Sequence, residues 1–267
     1  MPLPPLEVVW DLVKSILLPG FVVSLVVGLI LLRWKGAGLA LLLGLLAANV
    51  SNTPLPWFDW NQELGRVCFI LVLSLATILL DGEHVWKWVA KTAWVGVLSG
   101  TLCFHDNIEL SHRLAVTAAS MAIYGVLILG ERKLPGWILL GLLCATGLAT
   151  ALVMLHAHTA RLSDVALMWM ISSAGLFTAT LLKKGETQGI AGPAAVLFPY
   201  LLYYGQLSTF SEVPVWSFLL IAAAPVACLL CLVLQPKFRV WSVSAVWLLF
   251  LIAAIGLAMR YESISAG

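Results

Sequence analysis

The chain has 267 residues, 61% apolar and only 10% charged, against roughly a quarter charged in a typical soluble domain. Too few polar side chains are present to cover a soluble fold of this size, and the apolar ones come in blocks long enough to cross a bilayer. Net charge is +2, and no run of basic residues offers a footprint for nucleic acid, so that partner class is excluded.

The opening "MPLPPLEVVWDLVK" has neither the basic lead nor the small-residue cleavage site of a signal peptide. Ten apolar segments follow, at 15–32, 36–50, 66–80, 88–104, 113–130, 136–155, 162–182, 189–205, 214–234 and 238–259. A span takes about 20 residues, so the second, fourth and eighth are short and the expected count is eight to ten. The connectors are brief and leave no room for a soluble domain. The fold expected over residues 1–267 is therefore one integral membrane domain, an all-α polytopic transmembrane helix bundle.

In the second segment Gly36, Ala40, Gly44 and Ala48 recur every four residues, which on a helix makes a smooth face for close packing. Gly141, Ala145 and Ala149 make a similar run in the sixth. Between segments two and three, "SNTPLPWFDWNQEL" places Trp57, Phe58 and Trp60 at the headgroup level, as an interfacial anchor or a partner-docking patch. Asn49-Val50-Ser51 fits a glycosylation pattern but lies at a span end, too close to the membrane for modification. After segment four comes "CFHDNIELSHR", and after segment six "LHAHTARLSD". Together they hold His105, His112, His156 and His158, four of the five histidines. Helix C-termini favour partly protonated imidazole, and a metal or haem site is the sharper alternative. His156 and His158, two apart, would point to different sides of a continuing helix. The proline-rich eighth segment carries Tyr200, Tyr203, Tyr204 and Gln206, which would line a mid-depth cavity. The cysteines Cys68, Cys103, Cys144, Cys228 and Cys231 show no disulfide framework, and the Cys228–Cys231 pair has no polar surroundings for zinc or redox work.

Basic residues divide ten to five between odd and even connectors, counting the termini with the even ones. The positive-inside rule then puts the odd connectors in the cytoplasm and both termini outside, in an integral and most simply bacterial cytoplasmic membrane. All thirteen acidic residues lie in connectors, at segment ends or in the lead-in. Charged residues within spans mark proton relays and ion paths, so their absence from segment interiors disfavours a pump or a charged filter. No Walker loop, nucleotide fingerprint or HExxH is present. Val97-Leu98-Ser99-Gly100 lacks the glycine two residues before the serine that intramembrane rhomboid proteases carry. Size and span count are those of drug/metabolite-type transporters, but that family keeps both termini cytoplasmic. Residues 1–133 and 134–267 also show no matching pattern, so no family is assigned.

Three functions remain. The first is a non-catalytic subunit or scaffold packing against other membrane proteins, lipid or pigment. The second is a transporter or flippase of a neutral or lipophilic small molecule. The third is a metal or haem protein using the outer histidines. No cofactor is expected on the first two, the partners expected are the bilayer and other membrane proteins, and an enzyme is the less favoured class.

Overall fold

The computed structural model describes residues 10–11, 13–32, 36–52, 63–74, 76–79, 84–104, 109–183, 187–209, 213–233 and 236–265. Among them the chain is helical throughout, with no strand. Ten helices run in order: α1 (Val13–Leu31), α2 (Ala37–Asn52), α3 (Glu63–Ser74), α4 (Val85–Phe104), α5 (Leu110–Lys133), α6 (Gly136–His156), α7 (Ala160–Leu182), α8 (Ala191–Leu207), α9 (Val215–Ala227) and α10 (Pro236–Ser265). Short helices Ala76–Leu79 and Leu229–Val233 continue α3 and α9. The reason is solvent. In hydrocarbon every backbone N–H and C=O must be satisfied within the segment, and a helix does this without a partner.

Among the described residues six helices are long and apolar enough to cross a membrane: α1, α5, α6, α7, the run Val215–Val233, and Arg239–Tyr261 within α10. This is the signature of an integral membrane protein. The others fall short for separate reasons. Helices α2 and α8 have 16 and 17 residues, about 24–26 Å at 1.5 Å per residue, against roughly 30 Å of hydrocarbon. Helix α3 has 12 residues. Helix α4 has 20 but carries Lys87 and Lys91 in its first two turns.

Prolines set several boundaries. Pro135 and Pro214 stand immediately before α6 and α9 with extended backbone, where the missing N–H costs nothing. Pro225 interrupts the ninth segment, and the helix resumes at Leu229. One boundary differs from expectation. The fifth segment does not stop at Gly130 but runs through Glu131 and Arg132 to Lys133, so charges assigned to a connector belong to the last helical turn.

Helices α6 and α7 form the most extensive pair, and α1 packs against both α2 and α7. The α1 face toward them is Gly20, Ser24 and Gly28, all buried, while Leu18, Val22, Val26 and Ile30 face outward. Helix α10 lies on α6 and α9 and exposes Trp241, Leu249 and Ile252. Helix α8 sits innermost. It contacts α3, α4, α5, α6, α7 and α9, and every residue from Ile190 to Leu202 is buried.

The small-residue runs fall as follows. A Cβ on Gly44 would lie 2.6 Å from Ser24 Cβ, 2.8 Å from the Gly20 carbonyl oxygen and 3.2 Å from Ser172 Cβ. Gly44 therefore stands where α1, α2 and α7 meet. Ala48 Cβ is 3.1 Å from the corresponding point on Gly20, and Ala40 is buried. Gly36 precedes α2 and its N–H bonds the Leu31 carbonyl. In α6, Ala149 is buried, Ala145 is half-buried, and Gly141 has only the Phe177 ring near it, at 3.5 Å. The closest approach to α7 comes instead at Gly147, where a Cβ would lie 3.1 Å from the Met170 backbone.

Candidate functional site

The site is built on α8. Pro193 lies in its first turn, where proline is tolerated, but Pro199 lies inside the helix. Proline has no N–H, so the Ala195 carbonyl loses its ordinary i+4 donor. A freed acceptor thus sits mid-way along the most enclosed helix. Trp169 on α7 is fully buried and meets Phe198 edge-on, with ring centroids 5.3 Å apart at 71°. Ser173, also fully buried, lies one helical turn further on the same face of α7. Beyond Pro199, Tyr200 and Tyr204 stack at 5.7 Å and 16°, and Tyr203 meets the His112 ring edge-on at 5.6 Å.

Most polar side chains within the bundle are satisfied. Ser99 and Ser120 share a 2.7 Å hydrogen bond between α4 and α5. Ser24 donates to the Ser172 carbonyl at 2.7 Å, and Ser163 to the Ala151 carbonyl at 3.1 Å. Trp247 Nε1 donates to Thr146 Oγ1 at 2.9 Å. Asn49, buried, donates to Cys68 Sγ at 3.2 Å, so this amide faces inward. Against that background the buried atoms with no hydrogen-bond partner among the described residues include four on uncharged side chains: Trp169 Nε1, Ser173 Oγ, Tyr203 Oη and Ser217 Oγ. They come from α7, α8 and α9, and both α7 and α9 pack on α8. Each can donate.

The end of the bundle where α8 begins is organised by three consecutive residues at the end of α5. Glu131 Oε1 accepts hydrogen bonds from the N–H groups of Ile190, at 2.9 Å, and Ala191, at 2.8 Å. These are unsatisfied donors at the positive end of α8, and a carboxylate matches both the hydrogen bonds and the dipole. The Arg132 guanidinium lies over the Trp88 ring of α4, 4.7 Å from its centroid. Lys133 Nζ donates to the Leu232 carbonyl at 3.3 Å, beyond α9. Nearby, Lys183 at the end of α7 donates to the Leu29 carbonyl of α1 at 2.7 Å. Sequence reasoning used these basic residues only to orient the chain. It passed over Glu131 because a charge beside two cations in "GERK" reads as a solvated turn. The available signal was the proline-rich, short eighth segment, whose buried start needs an acceptor from elsewhere.

His112, His156 and His158 are spread along the opposite end. His112 is exposed in the first turn of α5. His156 ends α6, and His158 follows in a turn with φ of 57°, so the helix has ended before His158. His105 lies outside the described residues, as do Trp57, Phe58 and Trp60. Among the described residues no three His, Cys, Asp or Glu side chains come together as a metal-ligand group. No protein-family model matches the chain, and neither a curated protein nor a solved structure does.

Proposed function

We propose that the protein is a membrane transporter for a neutral small molecule bearing hydrogen-bond acceptors, held against α8. One observation carries the reading. The innermost helix carries Pro199 in its interior, which leaves the Ala195 carbonyl without its donor, and buried donors on it and on two helices packed against it lack partners. Each such donor costs about 1–3 kcal/mol when desolvated and unmet. Four of them around one helix are a poor solution for a purely structural bundle, and a solute with acceptors offsets the cost. Helix α8 carries no charged side chain between Ala191 and Leu207, which supports a neutral solute. The ten-to-five division of basic residues supports ten spans with both termini outside a bacterial cytoplasmic membrane.

Stopped-flow swelling of liposomes containing the purified protein tests this, with glycerol, urea and a hexose as probes. Entry of at least one is expected to exceed that into protein-free liposomes, and to fall several-fold in Trp169→Phe with folded yield retained. Equal entry with and without protein for all three sinks the proposal. A non-catalytic subunit is the second reading, favoured by the outward stripes Leu18–Val22–Val26–Ile30 of α1 and Trp241–Leu249–Ile252 of α10. Acyl chains cover such stripes as well as a partner helix does. A stoichiometric partner chain after gentle detergent purification, together with inert liposomes, would favour it.

A further inference from the structure

We propose that Glu131 is a proton-binding site that locks the buried start of α8: ionised, it holds the helix, and protonated, it releases it. The proposal concerns the end of α8 away from the tyrosines and does not rest on the transport reading.

Both hydrogen bonds converge on one oxygen of Glu131, and their donors belong to a helix remote in sequence. Ile190 and Ala191 are buried, so water does not replace the carboxylate if it withdraws. The approach of the chain to this point is fixed. Gly189 has φ of 89°, a conformation suited to glycine, and its carbonyl packs directly on Gly38. Gly192 has the Thr77 hydroxyl 2.8 Å and the Ser74 carbonyl oxygen 3.1 Å from where a Cβ would lie. No side chain of α8 itself serves as the cap there, and no side-chain cap bonds its N-terminus from within. The acid on α5 thus caps the start of α8 from another element.

Few other charges face it among the described residues. Lys91 of α4 lies close enough to interact with the carboxylate by charge. Tyr124 of α5 also feels the carboxylate, and its hydroxyl hydrogen-bonds Thr77 on the short helix after α3. From α8 it meets backbone N–H groups alone. Ionised, the carboxylate makes charge-assisted bonds, roughly twice as strong as neutral ones. Protonation removes the charge and with it the attraction to the helix dipole. A contribution made by the ionised acid is present at high pH and lost as pH falls.

Hydrogen–deuterium exchange of the full chain in lipid nanodiscs reads these two amides directly. The peptide covering residues 187–195 is followed between pH 8 and pH 5, corrected for intrinsic exchange and referenced to a peptide of α7. Its relative exchange is expected to rise at least tenfold as pH falls. Glu131→Gln is expected to exchange fast at both pH values, with no step. Lys91→Met keeps the acid and removes its favourable charge, so the step is expected to move to higher pH. This variant decides the matter should Glu131→Gln fail to fold. Constant relative protection of the parent from pH 8 to 5 overturns the proposal. So does a step that Glu131→Gln retains, or one that Lys91→Met leaves where it was.

Discussion

Gly44 and Gly125 are both helical glycines with opposite consequences. A Cβ on Gly44 lands 2.6 Å from Ser24 Cβ, whereas one on Gly125 meets nothing within 4 Å. Gly44→Leu is expected to cost at least the 1–3 kcal/mol of ordinary overpacking, because the backbones of α1 and α2 must separate. Gly125→Ala is expected to be neutral or to stabilise by up to about 1 kcal/mol through helix propensity. Thermal melts of the two variants in detergent check this, and a melt of Gly44→Leu equal to the parent's would contradict the packing. The Ser99–Ser120 bond is a second residue-scale case. A double-mutant cycle with alanine is expected to give a coupling of about 1 kcal/mol or less, as for other hydroxyl pairs in membranes. The four-residue spacing of α2 was legible in the sequence because it is a property of one helix. Its partners were not, since nothing local in α2 distinguishes Gly20 and Ser24 from the small residues of α7 or α6. The unmet donors of Trp169 and Ser173 were equally invisible, because whether a hydroxyl or indole finds a partner depends on the facing helix.

At the scale of elements, Pro199 is the clearest device. Pro199→Ala restores the N–H that the Ala195 carbonyl lacks, and a helix-interior proline costs up to about 3 kcal/mol. The variant is expected to melt higher than the parent and, on the transport reading, to admit the solute more slowly. A higher melt with undiminished solute entry would separate the proline from transport. The apolar segments located the helices well, because length and hydropathy are written locally. Their ends were less legible. Glu131, Arg132 and Lys133 look like a solvated connector, yet all three are helical and bonded to other elements. Polar residues at a helix end are read as facing water unless a distant backbone group claims them, and that claim is tertiary. The same limit applies to α8. Its prolines marked it as unusual, but its place at the centre follows from the packing of six neighbours.

For the molecule as a whole, both termini are expected on the face opposite Lys133 and Lys183. Single cysteines near each end of a cysteine-free background should react with an impermeant thiol reagent in intact cells, and protection of both until lysis would reverse the orientation. Elemental analysis of untagged protein is expected to find no stoichiometric zinc or copper. About one ion per chain, lost on His105→Ala with His156→Ala, would bring the histidine-rich end forward as the working site. The charged end of α5 also sets an order of events during synthesis. Glu131 meets partners 59 and 60 residues further along the chain, and Lys133 one 99 residues further. At about 5–20 residues per second of translation, the acid waits roughly 3–12 s and the lysine roughly 5–20 s before their partners exist. A chain stalled after α7 therefore carries charges at the membrane edge that only later helices can cover. Incomplete products carry unpaired charges that finished molecules have bonded to later helices, and a membrane protease has a chemical basis for telling the two apart.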